Sequence, residues 1–406
     1  MALRDRLRGR RSPEDVFADE VAGLIPQLLP VKQVERGEDF SLKITMRDGI
    51  GTVMFLQNIF REASQRSGEA RDERLRTAIL AIAPSLRPAT WEEAEPRVMP
   101  ALRSASWAAA LTHADKASIR TVFAPFVFLL FAIDDEHGMS FVTDDDLKAW
   151  GVSWRVVSEA GLRNLGRSPA PAVLSEDCRT LDINGPNGYA SSWLVAPNAL
   201  TKFSASLNDE FVVVAKSRDS LRLIAMSDRA SLQSELERAL DEYQSEARQL
   251  SPVPFLARDG DLFVWVPPAD DPCRPLIDRA HRILALTEYT YQWNVLRDLL
   301  SKAGEDVFVA KYTLIERPDK TVWSWSAWVR QVTDGLLPKT DYVSLTDAEA
   351  ETNLWVRWDD AERVAQDSLR EDASYFPTRW RFSGWPADPV LSALKELAVD
   401  PNTDHL

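Results

Sequence analysis

Cysteine and histidine are scarce in this chain, two and four among 406 residues. Cys178 and Cys273 form no CxxC pair and have no companions at metal-ligand spacing, so neither a disulfide framework nor a cysteine zinc site is expected. Free thiols in a cytoplasmic protein are the default. His113, His137, His281 and His405 are too scattered for a histidine metal centre, and HExxH does not occur. Also missing are a GxSxG nucleophile elbow and a phosphate-cradling GxxxxGK(S/T); Gly49-Ile50-Gly51 lacks the third glycine of GxGxxG. No cofactor and no metal are expected from these motifs. Positive charge runs short as well: Lys and Arg total 48 against 62 Asp and Glu, and a net charge of −14 repels phosphate backbones. Nucleic acid is therefore not an expected partner. No apolar run reaches the roughly 18 residues a membrane span needs. The basic group Arg4, Arg6, Arg8, Arg10 and Arg11 is followed by an acidic stretch, residues 12–20, instead of a signal-peptide core. It reads as a solvated tail on a soluble protein.

What the chain does have begins with residues 122–133, almost wholly apolar and rich in Phe, Val and Leu. The run is too short for a bilayer and suits a strand buried on both faces. Asp134-Asp135-Glu136-His137-Gly138 supplies a polar reversal and residues 139–142 a returning strand. Thr143 and Asp146 then form a capping box for a helix that carries Leu147 and Trp150 on one face and stops at Gly151. The concentration of Asp134, Asp135, Glu136, Asp144, Asp145, Asp146 and His137 raises a metal or acid-base site. Turns and helix starts attract the same residues, and no calcium-loop register is present, so the structural reading is preferred.

Taken in order, Ser12-Pro13 opens a helix with Phe17, Val21, Leu24 and Leu28 on one face. A hairpin over 31–34 and 40–46 follows, then helices over 53–63 and 71–83, giving a small unit, residues 1–88. Thr90 and Glu93 open the next helix as a second capping box. A central domain, residues 89–268, holds strands 211–215 and 221–226, an amphipathic helix 231–250, a break at Pro252 and Pro254, and a hairpin 255–257/262–266 around Asp259-Gly260. After the linker 267–272 comes a third domain, residues 273–406. It has one long helix over 275–303, with Thr287 as a potential break and Ile277, Leu284, Tyr291, Val295 and Leu299 inward. The hairpin 307–315/321–330, a strand over 353–358, a helix capped by Asp359, a strand 379–382 and a helix opened by Asp388-Pro389 complete it. The fold class expected is α+β, with mixed, mainly antiparallel sheets and helices packed on one face, in two or three domains.

Several blocks carry a resemblance. PRVMPALRS (96–104), FAIDDEHGMSFVTDDDLKAWGV (131–152), GLRNL (161–165), GYASSWLVAPNAL (188–200) and AKSRDSLRLIAMSD (215–228) are similar, in order and spacing, to the YtpQ-like bacterial proteins, domain of unknown function 1444. The resemblance covers roughly residues 31–268 and leaves the region after Pro267 without a counterpart. It implies a soluble bacterial protein and brings no catalytic residues with it.

Tryptophan is the other lead, since nine of the fourteen fall after residue 260. Trp323 and Trp325 alternate with serines, which places both on one face of a strand, with Trp328 just beyond. Trp355, Arg357 and Trp358 form a second group; Trp380 and Trp385 lie near Arg379 and Arg381. Trp323, Trp325, Trp328, Trp355, Arg357 and Trp358 are the candidate binding residues, able to stack on a sugar or grip a peptide, while a tryptophan-rich core is the competing reading. Cys178 stands beside Glu176 and Asp177, which disfavours a reactive thiolate. The expectation is a non-catalytic, cytoplasmic protein- or peptide-binding module. The rival is an enzyme using carboxylates such as Asp134, Asp135 or Asp144, with or without a divalent cation.

Overall fold

The structure, a computed structural model, describes residues 11–37, 40–47, 49, 51–82, 88–107, 120–134, 139–184, 188–205 and 207–404. Expectations placed on Arg4, Arg6, Arg8, Arg10, His113, the turn residues 135–138 and His405 lie outside them. By contacts the chain divides into two units, one of Met1–Pro100, Phe131–Ser168 and Glu246–Arg248, the other of Ala101–Leu130, Pro169–Ser245 and Gln249–Leu406. Among the described residues the fold is α+β with mainly antiparallel sheets, and no helix is long and apolar enough to cross a membrane.

In the first unit the helix Pro13–Leu28 starts as its residues dictate: the Ser12 hydroxyl accepts from the Asp15 amide and Pro13 fills the first turn. Its buried Phe17, Val21 and Ile25 share a core with Leu42, Ile44, Met54, Leu56, Leu75 and Ile79. Residues 53–55, expected as helix, instead belong to the strand Gly51–Phe55, which pairs with Ser41–Met46. Met54 turns inward between the exposed Val53 and Phe55, a period of two that overrides helix formation until Gln57. Farther on, the capping box forms as expected, the Thr143 amide donating to Asp146 Oδ2 at 2.8 Å, and Gly151 closes the helix Asp144–Trp150 at φ 67°. The helix Trp154–Arg167 crosses the Phe131 ring at Gly161. A Cβ at that position would stand 2.5 Å from a ring carbon, so only glycine fits.

The apolar run 122–133 is a hairpin, not a single strand. Arg120–Ala124 pairs antiparallel with Val127–Asp134 about Pro125 and Phe126, with Phe126 at φ 61°. Proline supplies no amide to a ladder, so the chain turns there. Val122 is exposed in consequence.

The second unit contains a six-stranded antiparallel sheet in the order Asp261–Val264, Gln249–Arg258, Phe211–Ser217, Ser220–Ala225, Thr180–Asn184, Ala172–Leu174. The helix Arg229–Ser245 packs on it through Leu232, Leu236 and Ala239. It stops sooner than expected, because Pro252 and Pro254 lie inside the strand Gln249–Arg258 instead of interrupting it. The ladder to Phe211–Ser217 shifts register between Val213 and Ala215, opposite these prolines, and Pro254 still accepts from the Trp265 amide.

The long helix Arg274–Ala303 passes Thr287 unbroken, the threonine hydroxyl bonding back to the Ile283 carbonyl at 3.1 Å. Its buried face differs from the expected one. Tyr291 is exposed, while Glu288 and Gln292 are buried. Two four-stranded sheets follow, Phe308–Val309/Gly335–Pro338/Arg379–Phe382/Leu369–Asp372 and Thr313–Glu316/Val322–Val329/Tyr342–Asp347/Thr352–Arg357, each with one parallel pair. The helix Trp358–Val364 begins one residue before Asp359, with no side-chain cap. It and Asp388–Glu396 share a core with Trp328, Val343, Leu345, Val356, Trp380 and Phe382.

Candidate binding face

Strand pairing decides which tryptophans can meet a ligand. Trp325 pairs with Tyr342 and Tyr342 with Arg357; Ala327 pairs with Ser344 and Ser344 with Trp355. Residues opposite one another share a face, so Trp325, Tyr342, Arg357, Ala327, Ser344 and Trp355 lie together, with Trp323 on the same side two residues before Trp325. Ser326, Trp328, Val343, Leu345 and Val356 take the other side, which is the core.

The six sequence candidates therefore separate. Trp328 is fully buried, its indole donating to the Gly384 carbonyl at 2.9 Å and its ring 5.4 Å from Phe382. Trp358 is buried edge-on to Trp380 at 5.2 Å, and both indoles donate to the Glu362 carboxylate. Neither presents a surface. Trp323, Trp325 and Trp355 form an edge-to-face cluster on the outward side, with centroids 5.8 Å apart for Trp323–Trp355 and 5.1 Å for Trp325–Trp355. Trp325 and Trp355 are half-buried, each leaving part of its ring open. Trp323 is only 5% exposed, and its indole N–H has no hydrogen-bond partner among the described residues. The serines between the tryptophans serve the inner side, where Ser324 Oγ donates to Asp341 Oδ2 at 2.8 Å and Arg282 forks the same carboxylate.

At one end of the outward face stands Arg357. It grips the Asp404 carboxylate with Nε and Nη2, which holds its guanidinium well above the ordinary arginine range. The Tyr342 hydroxyl donates to the same carboxylate at 2.9 Å; burial first and Asp404 second raise the phenol above its usual value. No protein-family model, no curated protein and no solved structure matches the chain. Its chemistry must be read from its own side chains.

Those side chains do not gather the other expected candidates into a site. Asp144 and Asp145 are exposed in a helix first turn, and Asp146 is spent on the cap. The Asp134 carbonyl accepts from Arg97, and Asp135 lies outside the described residues. Among the described residues no three of His, Cys, Asp and Glu are placed to hold a metal ion. Cys178 is exposed in a turn at φ 58°, and the buried Cys273 thiol is pushed up to about 11 by burial and then Asp271.

Two features carried no sequence signal. One is a pocket of about 380 Å³ with Ile283, Leu286, Leu314 and Val322 in its walls, where Arg279 and Glu316 pair at 2.8 Å. The other is a buried polar row on the long helix. Glu288 accepts from the Ser106 amide and hydroxyl, and its carboxyl is pushed up to about 8 by burial. Gln292 accepts from Arg379, a fully buried guanidinium that also donates to the carbonyls of Ala310, Leu336 and Tyr289. With no carboxylate paired to it among the described residues, burial lowers Arg379 to about 10.

Proposed function

We propose that the protein is a non-catalytic, cytoplasmic binding module that takes a protein or peptide partner on the outward face of the sheet Thr313–Glu316/Val322–Val329/Tyr342–Asp347/Thr352–Arg357. The observation that carries it is the edge-to-face cluster of Trp323, Trp325 and Trp355, with the rings of Trp325 and Trp355 part-open beside Arg357 on the side away from the core. Tryptophan and arginine offer large contact area with few rotamers to freeze, the profile of residues that dominate interface energies. In this reading residues 273–406 form the binding domain, and residues 31–268 belong with the YtpQ-like bacterial proteins on the strength of their sequence blocks.

The test is a displayed peptide library selected on the native protein alone, with the enriched peptides then measured on a Trp325→Ala/Trp355→Ala variant. Enriched peptides should bind the native protein and lose on the order of tenfold or more in affinity on the variant. A library that yields only peptides indifferent to the two substitutions would remove the proposal.

A further inference from the structure

We infer that the Arg357 end of this face is a receptor for an acidic turn of the pattern Asp-Pro-x-x-Asp, and that residues 400–404 occupy it as a resident copy of the partner's motif. The inference rests on the binding-module reading and gives the partner its chemistry.

Residues 400–404 form a turn held by its own bonds. The Asp400 carbonyl accepts from the amides of Thr403 at 3.1 Å and Asp404 at 2.9 Å, and the Asp400 carboxylate accepts from the Asn402 amide at 3.0 Å. A turn that closes on itself needs little from its surroundings to keep its shape, so the same motif in another chain would arrive pre-formed. What the sheet grips is sparse and specific. Arg357 Nε donates to Asp404 Oδ2 at 2.7 Å and Nη2 to Oδ1, Tyr342 donates to Oδ2, and Arg317 Nη2 donates to the carbonyls of Pro401 and Asp404. Pro401 is buried, while Asn402 and Thr403 are exposed. The face therefore reads one carboxylate and two main-chain carbonyls of a segment whose proline is buried, and leaves the two residues between in solvent. The Val399 amide also donates to the Trp355 carbonyl at 2.9 Å, so a segment seated this way passes directly beside the aromatic cluster.

A tethered segment competes at an effective concentration in the millimolar range, so the native protein masks the receptor from a free peptide. Weakening the resident copy should unmask it. The probe is a fluorescein-labelled peptide LAVDPNTD, residues 397–404, with both ends capped, titrated by anisotropy against the full chain. The Asp404→Asn protein should bind it on the order of tenfold more tightly than the native protein. Adding Arg357→Leu should abolish the gain, and a peptide ending in Asn should not bind. Equal affinity of native and Asp404→Asn proteins, or a gain that survives Arg357→Leu, overturns the inference. Equal binding of the Asn-ended peptide removes the acidic recognition while leaving the face as a peptide binder; binding of neither peptide removes the receptor, and the library selection then decides the wider reading alone. Should Asp404→Asn not fold by circular dichroism, Pro401→Ala weakens the resident segment alone, since Pro401 is buried and the receptor side chains are untouched, and should unmask the site in the same direction; no gain in that variant also counts against the inference.

Discussion

Replacing Glu288 by glutamine should erase the fall in stability with rising pH that its buried carboxyl is expected to impose around neutrality. Burial raises this carboxyl from 4.5 to about 8, and its bonds from Ser106 oppose the shift. The folded chain thus holds the proton more tightly than the unfolded one. Below pH 4.5 both states are protonated and the contribution is whole; between 4.5 and 8 only the unfolded state releases the proton, and stability falls as pH rises by about 1.4 kcal/mol per unit. Above the folded value the loss is complete, roughly 5 kcal/mol over the whole window. Other groups act elsewhere. His281 is lowered by burial, so its contribution is lost as pH falls below its ordinary 6.5. Asp19, lowered by its bond to Arg36, and Glu20 and Asp334, lowered by Arg71 and Arg381, lose theirs in acid. Cys273 and the buried tyrosines titrate above pH 9. Urea unfolding at pH 7 and pH 8, followed by tryptophan fluorescence, should show the native protein losing about 1 kcal/mol over that step and Glu288→Gln losing almost nothing. Glutamine keeps an acceptor for the Ser106 amide and never ionises. Parallel pH profiles for the two proteins would refute the reasoning.

Two packing assignments can be checked as directly. Gly161→Ala places a methyl 2.5 Å from the Phe131 ring and should destabilise by roughly 1–3 kcal/mol, read as a lowered thermal midpoint. Trp328→Ala should cost about 3–5 kcal/mol, because the ring is fully buried and its N–H is bonded, whereas Trp325→Ala on the outward face should cost a fraction of that. Equal losses in denaturant midpoint would show that the two faces of the sheet have been assigned wrongly.

Local chemistry was the readable part. Ser12 with Pro13, and Thr143 with Asp146, mark helix starts because capping groups and amides are within a few residues of one another, and Gly151 and Gly304 close helices at positive φ for the same reason. The alternation in Val322–Val329 put Trp323 and Trp325 on one face. Proline misled in opposite directions: Pro125 turns a chain that read as one strand, while Pro252 and Pro254 sit inside a strand that read as beginning only after them. Whether a missing amide ends a strand depends on whether a neighbouring strand needs it, and the neighbour of Pro252 lies in Phe211–Ser217. Glu288 and Gln292 are not singled out by the sequence at all, since nothing near them in the chain reveals Ser106, Pro377 and Arg379.

By itself the sequence determined the α+β class, the capped helix starts at Ser12 and Thr143, the spacing that puts Trp323 and Trp325 side by side, and the absence of the common catalytic motifs. Each depends on residues adjacent in the chain or on composition. Only the tertiary structure decided that Trp328 and Trp358 face inward and Trp325 and Trp355 outward, and that Arg357 meets Asp404. Period-two alternation defines two faces without saying which is dry, and that choice is made by helices and strands brought against the sheet from distant parts of the chain.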